Sequence, residues 1–279
     1  MFETNAISIE RINQYLDLEE EDEWIKDYRP ALDWPKNGEI KFIDYSTRYR
    51  ENTNLILKKL DFKIDSTDKI GVVGRTGAGK STITLALFRI IEPVEGRIII
   101  DDIDISKIGL HDLRSKLSII PQDPVLFTGS IRFNLDPFDK YSDKEIFESL
   151  EHAHLKQFVN SLEDGIQHQI SEGGENLSVG QRQLICLARA LLRKSKILVL
   201  DEATASVDFA TDELVQKTIR SEFKDCTTIT IAHRLNTVLD SNRILVIDNG
   251  QLKEYDTPSK LLKNKNSLFY KMALKANII

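Results

Sequence analysis

Apolar residues change their spacing several times along this chain, and each change marks a predicted element. Ile9, Ile12 and Leu16, with Tyr15 beside them, recur at helical steps and predict a short amphipathic helix. The acidic run Glu19-Glu20-Glu21-Asp22-Glu23 follows, and then Trp24, Pro30, Trp34 and Pro35. No regular period runs through that stretch, which predicts a solvated tether over residues 17–37. Ile40 and Phe42, and later Leu60, Phe62 and Ile64, alternate with polar neighbours and predict half-exposed antiparallel strands. The unbroken run Ile70-Gly71-Val72-Val73 instead reads as a buried strand, and Ile83, Leu87, Ile90 and Ile91 return to helical spacing. Arg97–Ile100 and Leu117–Ile120 predict two more strands.

From about Asp143 to Leu192 the pattern is mostly helical, with Ile146, Leu150, Leu155, Phe158 and Leu162, and later Leu184, Leu187 and Leu191. Three β-rich runs close the chain: Ile197–Leu200, Thr227–Ile231 and Ile244–Ile247. Each lies near a helical segment, as a mostly parallel sheet with crossover helices requires. No internal repeat is visible. The pattern predicts an α/β fold.

Composition adds limits. The chain has 279 residues, enough for one large α/β unit with inserts, and 41% hydrophobic with 29% charged residues is ordinary for a globular protein. A net charge of −6 argues against nucleic acid as a partner. The two cysteines, Cys186 and Cys226, have no metal-ligand spacing and read as reduced core or subsurface residues. No signal-peptide pattern and no apolar run of about 20 residues is present, so the expectation is a soluble piece.

Gly74-Arg75-Thr76-Gly77-Ala78-Gly79-Lys80-Ser81 fits the phosphate-loop pattern G-x-x-x-x-G-K-[ST] at every fixed position. Glycines there let successive N–H groups converge on a phosphate. Lys80 would reach the β- and γ-phosphates, and the Ser81 hydroxyl would meet Mg²⁺. The predicted strand before it and helix after it aim a helix dipole at the anion. Ile197-Leu198-Val199-Leu200-Asp201-Glu202 is a buried strand ending in two carboxylates, which a parallel sheet would set facing the loop. Asp201 suits the Mg²⁺ shell, and Glu202 can polarise an attacking water.

Leu177-Ser178-Val179-Gly180-Gln181, continuing Arg182-Gln183, resembles the signature motif of ATP-binding cassette proteins. Gln122 after a strand, Ser206-Val207-Asp208 after the carboxylates, His233 after the next strand and Tyr49 ahead of the loop match the same family in order. Within it, the chain is similar to the second, C-terminal nucleotide-binding domain of subfamily C, the multidrug-resistance-associated type. Ile108 to Arg114, Asn134-Leu135-Asp136-Pro137-Phe138, Trp34-Pro35 and Leu268-Phe269-Tyr270 carry that closer likeness, and residues 7–16 resemble the end of the last membrane-domain helix.

The resemblance implies a P-loop NTPase fold of cassette type: a mostly parallel core sheet with helices, an antiparallel β subdomain, and an inserted α-helical subdomain at about 123–193. Residues 1–37 would be the end of the membrane-domain helix and an acidic linker, and 38–279 the nucleotide-binding domain. The cofactors implied are ATP and Mg²⁺. Tyr49 would stack on adenine, although a tyrosine there also suits a strand face. Residues 74–81 would hold the phosphates, with Thr82 near the α-phosphate. Ser81, Gln122 and Asp201 would serve Mg²⁺; Gln122, Glu202 and His233 would be catalytic, with Glu202 as general base. The alternative for His233 is a capping or core residue. His111, His152, His154 and His168 read as surface residues.

Ser178, Gly180 and Gln181 are expected to open a helix at Gln181 that covers ATP on an opposite domain, with Val179 departing from the family's usual glycine. The function implied is ATP hydrolysis at a site shared with an N-terminal nucleotide-binding domain, powering export through attached transmembrane domains at the cytoplasmic face of a membrane. The isolated chain would be mostly monomeric. The alternatives are a regulatory nucleotide sensor of a channel in the same subfamily, or a soluble cassette ATPase of repair or translation; the acidic balance and residues 7–16 oppose the latter.

Overall fold

A computed structural model describes residues 7, 10–13, 15, 16, 20–201, 209–232 and 234–279. Among the described residues, 7, 10–13, 15 and 16 are helical, and the first strands, β1 (Ile40–Thr47) and β2 (Leu57–Ile64), pair antiparallel as their alternation predicts. Phe42 stacks on Phe62 across them at 4.5 Å and meets Tyr45 edge-on at 5.5 Å. Strand β3 (Lys69–Gly74) leads into α1 (Lys80–Leu87). Then β4 (Glu95–Ile100) and β5 (Ile103–Asp104) return to the first sheet, giving the order β2-β1-β4-β5. Phe42, Tyr45, Leu60 and Ile98 on this sheet share one core with Ile83 and Leu87 of α1.

After α2 (Leu110–Arg114) and β6 (Leu117–Ile120) comes a largely helical stretch. It holds β7 (Gly129–Ser130), α3 (Ile131–Leu135), α4 (Asp143–His152), α5 (Lys156–Ser161), β8 (Gln169–Ile170) and α6 (Val179–Arg193). Ile146, Leu150, Leu155, Leu184 and Leu187, whose helical spacing marked the stretch, form its buried seam together with Val159, while Phe158, Leu162 and Leu191 pack against it partly buried. Helix α4 starts in a capping box between Ser142 and Glu145, which satisfies two N-terminal N–H groups. The chain then alternates through β9 (Ile197–Asp201), α7 (Phe209–Glu222), β10 (Thr227–Ile231), β11 (Arg243–Asp248) and β12 (Gln251–Asp256). Helices α8 (Pro258–Lys263) and α9 (Leu268–Lys275) end it.

The second sheet runs β12-β11-β3-β10-β9-β6. All its pairings are parallel except β11 with β12. Strand β3 is therefore central, and the backbone of Gly71 leaves no room for a side chain: a Cβ there would lie 2.5 Å from that of Val238. Among the described residues, no helix is long and apolar enough to cross a membrane.

Residues 20–37 differ from the solvated tether that their composition predicts. Trp34 is 5% exposed, and its indole N–H donates to the Ile100 carbonyl at 3.1 Å. Arg29 holds Asp112 through two hydrogen bonds of 2.6 and 3.0 Å. The N–H groups of Leu110 and His111 donate to the Glu23 and Trp24 carbonyls, and the Trp24 and His111 rings meet edge-on at 5.5 Å. Gly109 is what permits this approach, because a Cβ there would lie 2.6 Å from the Trp24 carbonyl oxygen. The segment is a strap tied across α2. Its long-range partners, not local periodicity, order it.

Both tryptophans of the chain, Trp24 and Trp34, sit on this strap, so fluorescence reports it directly. The Arg114 and Arg29 guanidiniums hold the Glu21 and Asp112 carboxyls below their ordinary range. Burial alone would raise Asp22, but hydrogen bonds from Lys26 and Arg89 outweigh it and hold that carboxyl well down. Depressed carboxylates contribute stability that is present above the unfolded value of about 4 and lost as pH falls through the lower folded values. On acidification below about pH 4, Trp34 emission should therefore shift to the red, and Arg29→Ala should move that transition to higher pH.

Candidate functional site

The phosphate loop lies where β3 turns into α1, and glycine geometry makes the turn. Gly77 and Gly79 have φ of +77° and +103°, values that side chains rarely adopt. At Gly74 the constraint is proximity, since a Cβ would fall 2.3 Å from the Ile247 carbonyl oxygen of β11. Among the described residues, no side chain caps the N-terminus of α1, which leaves its dipole facing the loop. Lys80 is buried, and its ammonium donates to the Gly74 and Arg75 carbonyls at 3.0 and 3.2 Å. That curls the side chain back over the loop. Arg75, Thr76 and Gly77 are exposed around it, and Ala78 is buried beneath.

Asp201 ends β9, two strands from the loop, and is half-buried. Burial raises its carboxyl above the ordinary range, and the Lys80 charge opposes that rise. Burial likewise lowers the Lys80 ammonium, with Asp201 opposing. The two groups are electrostatic partners, as the sheet-end placement predicts. Ser81 is exposed in the first turn of α1, and Gln122 is exposed just beyond β6, the neighbour of β9. Tyr49 is 53% exposed, and its hydroxyl lies 3.0 Å from that of Thr82. The ring is thus tied to α1 while leaving area free for stacking.

Ser178 caps α6, which begins at Val179, two residues ahead of the expected start. The Ser178 hydroxyl accepts from the Gln181 N–H at 3.1 Å, and the Gln181 side chain accepts from the Ser178 N–H at 2.9 Å. Gly180 is buried in the first turn. Spaced as S-x-x-Q, this reciprocal box is a pattern legible in the sequence. Glu202, Ser206, Val207, Asp208 and His233 lie outside the described residues. Of the other histidines, His152 is exposed but pairs with Glu222, and His111 packs against Trp24. Cys186 is buried and Cys226 half-buried, both as free thiols.

One support of the loop escapes a motif search. The Asn249-Gly250 turn joins β11 to β12 with both φ values positive, and the Gly250 N–H donates to the Ala78 carbonyl at 3.0 Å. The Asn-Gly pair signals such a turn; its position behind the phosphate loop follows only from the sheet order.

The profile of the family described as ABC transporter matches residues 57–205, more than half of the chain. This chain belongs to the ABC transporter family. It is 59% identical over 276 residues to "ATP-binding cassette sub-family C member 2" of Mus musculus, and 56% identical over 279 residues to "Metal resistance protein YCF1" of Saccharomyces cerevisiae. Both alignments cover 99% of this chain but 18% of the relative, so the chain spans about a fifth of their length. Among solved structures it is similar to a bacterial Atm1-family ABC exporter with ATP bound, at a TM-score of 0.87 and 34% identity. That match covers 98% of this chain and 47% of the exporter's. The fold is that of a nucleotide-binding domain of the family.

Lys80→Met should weaken ATP binding by about tenfold or more, since a hydrogen bond to a charged group contributes roughly 1.5–3 kcal/mol. It should also raise the Asp201 titration further, because the opposing charge is gone. Titration calorimetry reads the first effect and carboxyl NMR the second.

Proposed function

We propose that this chain is the second, C-terminal nucleotide-binding domain of a subfamily C exporter. It would hydrolyse MgATP at a site shared with an N-terminal partner domain. Residues 38–279 would form the domain, with a helical insert at about 123–193, and residues 1–37 would be the end of a membrane-domain helix and an acidic linker at the cytoplasmic face. The observation that carries the reading is the buried Lys80 ammonium, curled on the Gly74 and Arg75 carbonyls with Asp201 as its charge partner. The relatives' names, a cassette subfamily C member and a metal resistance protein, favour an exporter over a channel regulator.

The donor set fits Mg²⁺. The Ser81 hydroxyl, the Gln122 amide and the half-buried Asp201 carboxylate are oxygen donors of the kind a hard cation takes. The chemistry supplied when the ion is bound is neutralisation of phosphate charge. Lys80 and the loop N–H groups hold the β- and γ-phosphates, Thr82 lies near the α-phosphate, and Tyr49 offers its ring to adenine. Glu202 follows Asp201 in sequence and takes the proton of the attacking water, with Gln122 and His233 steadying water and γ-phosphate.

Ser178 and Gln181 bond to each other, and among the described residues none of their hydrogen bonds reaches the phosphate loop. This supports a signature segment that serves the other domain's nucleotide, while that domain's signature completes this site. Joined to transmembrane domains, the pair would convert closure and release into export.

Glu202→Gln should leave ATP affinity nearly intact and slow hydrolysis by about 10²–10⁴-fold, the usual contribution of a general base. Single-turnover hydrolysis in the full transporter tests this, and unchanged turnover would remove Glu202 from the role. The isolated chain should be mostly monomeric and a poor ATPase, and adding the N-terminal domain should raise turnover. A monomeric chain that already matches the intact transporter would refute the shared site.

A further inference from the structure

The helix that begins with Lys80 ends against two guanidiniums, and each takes a counter-ion from the strap. Arg89 follows the C-cap Phe88 of α1, with φ of +50° and a side chain only 4% exposed. Its Nη1 donates to the Ile105 and Ile108 carbonyls at 3.0 Å each. Its Nε and Nη2 hold Glu92 at 3.0 and 2.8 Å, and Nη2 also holds Asp22 of the strap. Arg114 caps the same helix end: Nε donates to the Phe88 carbonyl at 3.0 Å and Nη2 to the Arg89 carbonyl at 2.9 Å. Its outer face grips Glu21 in a fork of 2.8 and 2.7 Å.

A guanidinium fork fixes both distance and angle. Arg89 is buried with its donors used, so its position, and that of the helix end attached to it, depends on where Asp22 and Glu92 sit. An eight-residue helix is roughly 12 Å long and stiff. Its far end carries Lys80, Ser81 and Thr82. Whatever moves Glu21 and Asp22 therefore bears on the phosphate loop along one rigid element, and the helical residues 10–13, 15 and 16 lie just ahead of that pair in the chain.

We propose that Glu21 and Asp22 are positioning residues for nucleotide binding, acting through Arg114 and Arg89 on the phosphate-loop helix. The strap is then the mechanical connection between that loop and the part of the protein preceding residue 20. This rests on the reading of the loop as the nucleotide site. Coupling of this kind is reciprocal: ATP fixes α1 and tightens the strap, and an intact clasp strengthens ATP binding.

The test uses the full chain, MgATP and three variants. Glu21→Gln with Asp22→Asn removes both charges at constant shape. Asp112→Asn breaks the Arg29 anchor of the same strap without touching the end of α1. It serves as the control for lost stability, matched by urea denaturation. The double variant should bind ATP at least about fivefold more weakly, the lower bound for a typical coupling. Asp112→Asn should bind as the wild type does, and Asp22→Glu, which keeps the charge, should retain affinity. In the wild type, ATP should slow hydrogen exchange of the Leu110 and His111 amides, which donate to the strap. Unchanged affinity in the double variant, or an equal loss in Asp112→Asn, would overturn the clasp while leaving the nucleotide site standing. A wild-type chain that binds no ATP would overturn both.

Discussion

Lys80 carries its charge into a place where its hydrogen-bond partners in the protein are two backbone carbonyls, and Asp201 is the charge that offsets its burial. Removing a cation from water is costly unless it is paired, and a single half-buried carboxylate pairs it incompletely. The arrangement holds because packing enforces it. Strand β3 is central in its sheet, Gly74 is pressed on the Ile247 carbonyl, and α1 is buried along most of its length. On the proposed reading, a triphosphate would bring the negative charge that offsets the Lys80 charge. The remaining features of the fold can be understood as ways of keeping this loop rigid, so that little reorganisation is needed when the anion arrives.

Rigidity comes from both sides of the loop. Behind it, the turn at Gly250 ties the β11–β12 hairpin to Ala78 and to the start of β2, where the Lys58 N–H donates to the Gly250 carbonyl at 2.8 Å. Beyond it, Arg89 and Arg114 secure the other end of α1. Apart from Arg89, these supports belong to parts of the chain far from the loop in sequence. The motif identifies the loop, but long-range packing determines whether it is set for a phosphate.

That division also explains what the sequence could reveal. Buried strands such as Ile70–Val73 and Ile197–Leu200 were legible because unbroken apolar runs have few other uses, and Leu184, Leu187 and Leu191 announced a helix by their period. The phosphate loop was legible because it is local: eight consecutive residues contain its whole geometry. The strap was not, since Glu21, Asp22 and Arg29 read as solvated charges until the fold brings Arg114, Arg89 and Asp112 to them, 67 to 93 residues away. Composition counts such charges but does not pair them. The early start of α6 escapes for a different reason: the local box between Ser178 and Gln181 is legible, but those residues read as a signature instead.

That box also leaves the signature with an unspent proton. Ser178 uses an oxygen lone pair to accept the Gln181 N–H, and a hydroxyl has one hydrogen left to give. Among the described residues, no acceptor claims it. Capping thus fixes the oxygen in space while the hydrogen stays free to swing toward whatever anion is presented, with no internal bond to break first. The serine is aimed without being used up, so on the proposed reading the segment would meet the opposite domain's phosphate at little cost in local order.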